Sequence, residues 1–201
     1  MTPRAVLAAA AAFALAQGPA NGADRAAIAE RSAQQGFDAA EEAHLGAAAS
    51  GESAAVVALG EFYAAHGLWP ETIAAINRLG APDAAAEALR VEAEYRFGRY
   101  RDAAAHAAGK HALAGFRAMA LTRLGAWAEA AALFQETAPP AGHEADFHLS
   151  AAEARALAGD PSRALKSLGA ALQAEPATAG TGRVHFLRGE IHRAAGDEAR
   201  A

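Results

Sequence analysis

The chain has 201 residues, 53% of them hydrophobic but most of those alanine, with 20% charged residues and a net charge of −5. The acidic balance gives no support for a nucleic acid or an anionic membrane surface as partner. The absence of cysteine excludes disulfides, thiol catalysis, cysteine metal sites and lipid attachment through a processed cysteine. Alanine is the best helix former, and valine and isoleucine are sparse, so the expected fold is all-α.

Met1 to Ala23 stands apart. Arg4 gives a short positive start, and Ala5 to Ala16 (AVLAAAAAFALA) is apolar, about as long as a signal-peptide core and too short to span a bilayer. Ala14-Leu15-Ala16 fits a small-x-small cleavage site. The expectation is a signal peptide over residues 1–16, with Gln17 as the new N-terminus and residue 23 as the alternative end. It implies a periplasmic or secreted chain with no integral membrane span after removal; the alternative is the alanine-rich first helix of a cytoplasmic protein. Residues 24–50 read as two helices, Asp24–Gln34 and Phe37–Ala49, hinged at Gly36. Leu45 and Glu41 sit where later units carry Ile76 and mostly alanine, which marks a degenerate or capping hairpin.

From Val56 to Leu79 the chain reads as two short helices folded back around Gly67, with Pro70 in the first turn of the second. Similar hinge glycines follow at Gly98, Gly125, Gly159 and Gly196, at spacings of 31, 27, 34 and 37 residues. Two residues after them stand Trp69, Tyr100, Trp127, Pro161 and Glu198. Five after stand Thr72, Ala103, Ala130, Ala164 and Ala201, and seven before stand Gly60, Val91, Ala118, Ala152 and Gly189. Small groups at those two places let helix backbones approach closely. Nine after the hinge come Ile76, Ala107, Phe134 and Leu168, able to fill the next gap. On this register Trp127 and Phe134 are expected to be buried between hairpins. Pro139-Pro140-Ala141-Gly142 and the stretch from Glu175-Pro176 to Gly182 are linkers between hairpins. The last unit stops a few residues beyond Gly196. Its first helix, Arg183–Ala195, is then expected to leave Val184, Phe186, Leu187 and Ile191 without a partner, as in an incomplete last repeat of a longer protein.

These columns resemble the tetratricopeptide repeat family, whose helix–turn–helix unit of about 34 residues sets a small residue, an aromatic, a turn glycine and an alanine in fixed places. The resemblance covers roughly Ser53 to Ala201 and is strongest around Gly67, Gly125 and Gly159. The 27-residue step requires clipped helices between Tyr100 and Leu124, Val91 takes the place of a small residue, and Arg155 stands where the first unit has Tyr63. A related hairpin class, the Sel1-like type, fits Leu59-Gly60 to Gly67 but not the later units. The fold implied is a right-handed α-solenoid of stacked hairpins over residues 53–201.

Catalytic signatures are missing. His143 and His148 are five apart, as are His106 and His111, and point about 140° away from one another on a helix. His185 and His192 share a face, read as core or boundary. There is no G-x-S-x-G turn, no Ser-x-x-Lys and no complete phosphate loop. The chain is therefore expected to be a non-enzyme with no catalytic residue, metal or cofactor. One column stands out six residues before the hinges: Glu61, Glu92, Met119, Glu153 and Glu190. The family resemblance places that side of each first helix in a concave groove, together with Tyr95, Arg96, Arg123, Phe186 and Arg193. The function this implies is binding of a protein or peptide partner in the groove. The rival readings are a solvated helix face and a structural N-terminal arm of a longer exported protein whose C-terminal part carries an enzymatic or polymer-secretion role.

Overall fold

The computed structural model describes residues 22–197; the expected signal peptide lies outside them. Among the described residues there are eleven α-helices and no strand, so the chain is all-α. It divides at Gly98–Arg99 into two compact units. The first holds α1 (Gly22–Gln35), α2 (Phe37–Ala48), α3 (Ser53–Ala65), α4 (Trp69–Ile76) and α5 (Ala84–Arg96). The second holds α6 (Tyr100–His106), α7 (Ala114–Arg123), α8 (Trp127–Glu136), α9 (Glu144–Leu157), α10 (Pro161–Ala174) and α11 (Gly182–Ala194).

The turns follow from the glycines. Gly67 has φ +71°, a conformation that costs glycine nothing and other residues a Cβ clash. Its N–H donates to the carbonyl of Ala64 at 3.0 Å, and the N–H of Leu68 to that of Tyr63 at 2.9 Å. This is the Schellman closure, which satisfies carbonyls that the end of a helix leaves orphaned. The same pair of bonds recurs at Gly125, Gly159 and Gly196, and Gly36 and Gly98 share the positive φ. Helix starts are set locally as well. The Asp83 carboxylate accepts from the N–H of Ala86 at 2.9 Å, and Asp160 does the same for Arg163 at 3.0 Å, just ahead of Pro161.

The small-residue columns carry the packing. Val91, Ala118 and Ala152 before the hinges, and Thr72, Ala103, Ala130 and Ala164 after them, are all fully buried. Gly60 marks the closest approach: a Cβ there would lie 3.0 Å from Leu89 Cδ2 and 3.1 Å from Ile76 Cδ1. Larger groups fill the spaces between. In the first unit Val56, Leu59, Phe62, Tyr63 and Ala75 form one cluster, with Ile28, Phe37, Leu68 and Leu79 against it. Phe62 lies at its aromatic centre, with ring centroids of Phe37 at 5.2 Å and of His44 and His66 at 4.9 Å. In the second unit Leu149, Ala152, Leu168, Val184, Leu187 and Ile191 are packed together, each large aliphatic group contributing about 1.5–3 kcal/mol by leaving water.

The short 27-residue step is met as expected, with α6 of seven residues and α7 of ten, joined through a 3₁₀ turn at His111–Leu113. The double proline ends α8 and folds back on α7, where a Cβ on Gly115 would meet Pro140 Cδ at 2.9 Å.

Two expectations need correction. Phe134 is buried, but Trp127 is 39% exposed, because it is the first residue of α8 and sits at the rim of the packed layer. Val184, Leu187 and Ile191 are not open. They form the inner stripe of α11 and pack on α9 and α10, leaving only Phe186, on the other stripe, exposed at 54%.

Candidate functional site

The glutamate column lies on the first helix of each hairpin, one residue beyond the small-residue column. The packing that fixes Gly60, Val91 and Ala152 therefore fixes Glu61, Glu92 and Glu153 beside them. In the first unit both carboxylates hold Arg25, which reaches from α1 across α3 to α5. Its Nε donates to Glu61 Oε2 at 2.9 Å, and Nη1 and Nη2 donate to Glu92 Oε1 and Oε2 at 2.5 and 2.8 Å. The side chains are only 16% (Arg25), 9% (Glu61) and 10% (Glu92) exposed. Burial works against the guanidinium charge, but the hydrogen bonds and charges of Glu92 and then Glu61 outweigh it, and the Arg25 pKa is raised. Nearby, the Tyr63 hydroxyl donates to Glu41 at 3.0 Å. Burial first and this bond second push the Tyr63 pKa up to about 12.

The second unit repeats the arrangement with different residues. Asp146, Ser150 and Glu153 follow one another at helical spacing on one face of α9. Arg183 of α11 donates to Asp146 at 2.7 Å, to Ser150 Oγ at 3.1 Å and to Glu153 at 3.2 Å. Arg123 of α7 approaches the same two carboxylates at 3.7 and 3.9 Å. The first helices of this unit are thus tied across α9 by guanidinium–carboxylate pairs. These groups stay between 19% and 28% exposed, so the face is wetter than the Arg25 site.

The remaining members of the expected groove fall in different places. Tyr95 is buried, and Met119 is fully buried in the core, so neither offers a contact surface. Arg96 is exposed, with its guanidinium 6.0 Å from the Trp69 ring. On α11 Arg183, Phe186, Glu190 and Arg193 share a stripe that flanks the buried one, and Arg193 pairs with Glu190. The histidines are scattered. His143 is buried edge-on to Phe116 at 4.9 Å, His148 is partly buried beside Phe147, His185 is exposed, and His192 lies 3.9 Å from Asp197. Among the described residues no three histidines or carboxylates converge as metal ligands.

Arg25, Asp146, Ser150 and Arg183 are the members that sequence reasoning did not select. Asp146 and Ser150 could have been found by extending the Glu153 stripe back along α9. Arg25 and Arg183 lie 30 or more residues from their partners, and no local pattern reveals such pairs. The chain was compared with protein-family models, curated proteins and solved structures, and none of them matches.

Proposed function

We propose that the chain is an exported scaffold of tetratricopeptide-like hairpins that binds a protein or peptide partner through the faces of its first helices. The observation that carries this reading is the outer stripe of α11. Among the described residues Phe186 is the most exposed large apolar side chain, at 54%, on a helix whose inner stripe is sealed by Val184, Leu187 and Ile191. It is flanked by Arg183, Glu190 and Arg193 and borders the charged face of α9 through the Arg183 pairs. An exposed aromatic on a packed helix with arginines around it has the composition of an interface anchor, and the surrounding charges can exchange internal partners for those of a docked segment. Export is supported by the composition of residues 1–23. No helix among the described residues is long and apolar enough to cross a membrane.

The test is affinity capture from a cell-envelope extract with the unaltered chain and with Phe186→Asp in parallel. The expected result is a discrete protein retained by the first and lost by the second, with melting curves that agree. Equal retention of every captured protein would overturn the reading.

A further inference from the structure

We propose that Glu61 and Glu92 form a guanidinium-binding site, occupied in this chain by its own Arg25, that receives an arginine of a partner segment when α1 moves aside. Two unlike halves meet there. The carboxylates belong to the packed scaffold, each next to a small-column residue, Gly60 against Leu89 and Ile76, and Val91 with no exposed surface. They stand at equal register on α3 and α5, whose contact at Gly60 and Leu89 sets the spacing of the two helices. Apart from the three Arg25 bonds, the helix that supplies the arginine has little buried surface. Of residues 25–35 only Ser32 is buried, and its hydroxyl lies 2.9 Å from His66 Nε2. Ile28 of α1 packs against the core cluster and is only partly buried.

The geometry also states what the site selects. Glu92 takes both terminal nitrogens of a planar fork, and Glu61 takes the Nε–H, at 2.5 to 2.9 Å. Three coplanar donors at those positions describe an N-alkylguanidinium; an ammonium, a compact point charge, cannot meet all three. A partner is thereby specified as a segment that presents an arginine. That choice of partner rests on the binding reading above, whereas the site itself does not.

The experiment uses the full chain carrying Arg25→Ala and two small cations. Ethylguanidinium reproduces the arginine side chain beyond Cβ; ethylammonium at equal concentration controls for charge and ionic strength. The expected result is a melting temperature several degrees higher with ethylguanidinium than with ethylammonium. That preference should be absent from the unaltered chain and abolished by adding Glu61→Gln and Glu92→Gln. Should Arg25→Ala fail to fold alone, recovery of helical circular dichroism reads the same preference. Equal action of the two cations overturns the site. In the unaltered chain, a peptide copying residues 22–35 should speed amide exchange in α1, and the same peptide carrying Arg25→Ala should not. Unchanged exchange alongside a successful rescue overturns the access of a partner's arginine. These outcomes do not depend on the Phe186 face, so the two readings fail separately.

Discussion

Replacing Phe134 by alanine probes the repeat register, because the same chemical change at Phe186 supplies an internal control. Phe134 stands nine residues after Gly125 and is 5% exposed, with its ring 4.8 Å from Phe147 and nearly perpendicular to it at 82°. Truncation removes the transfer energy of the ring and leaves a cavity that a neighbouring helix can only partly close. The expected cost is about 3–5 kcal/mol. For a chain of this size 1 kcal/mol moves the midpoint by about 2–4 °C, so the melt should fall by about 6–20 °C. Phe186 is 54% exposed and closes no cavity. Losing the covered part of its ring should cost about 1 kcal/mol. Helical circular dichroism on the two variants reads the contrast. A double cycle with Phe147→Ala should add a coupling of about 0.5–1.5 kcal/mol for the edge-to-face pair. Equal shifts for the two phenylalanines, or a larger one at Phe186, would refute the register around Gly125.

Other outcomes follow from single sites. Gly60→Val should destabilise the first unit by about 1–3 kcal/mol in denaturant titration, since even a bare Cβ lies 3.0 Å from Leu89. His44 and His148 are both held below the ordinary 6.5, His44 by burial and then Arg31, His148 by burial and then Arg155. The folded chain thus binds these protons less readily than the unfolded one. Their contribution is present above 6.5 and is lost as pH falls below it, so the melting temperature should drop on acidification. His44→Gln with His148→Gln should flatten that slope. N-terminal sequencing of the mature chain should begin at Gln17 or Asp24; an intact Met1 on soluble cytoplasmic protein would remove the export reading.

How much of this was legible follows the range of each interaction. The hinge glycines were readable because the Schellman turn is local, needing only one residue that tolerates positive φ and two nearby carbonyls. The alanine columns looked ordinary in so alanine-rich a chain, yet they form the buried seam. The aromatics two residues past the hinges were the more conspicuous signal, and Trp127 proved to stand at the rim. A position at the start of a helix is fixed by the turn before it, not by the layer below. The glutamate column was visible, but its occupants were not. Arg25 lies 36 residues from Glu61 and 67 from Glu92, and only the folded stacking of α1, α3 and α5 brings them together. The exposure expected along α11 differs from the burial found, for a related reason. Val184, Leu187 and Ile191 were assigned to a following helix when the preceding hairpin already used them.

The most direct test of the binding account places a photo-crosslinking phenylalanine analogue at two exposed apolar positions of the full chain in living cells. Phe186, 54% exposed, lies on a first helix, and Leu165, 51% exposed, lies on the second helix α10. The account predicts a discrete adduct of one partner from position 186 and none from position 165. Adducts from both positions alike, or from 165 alone, or from neither, would contradict it.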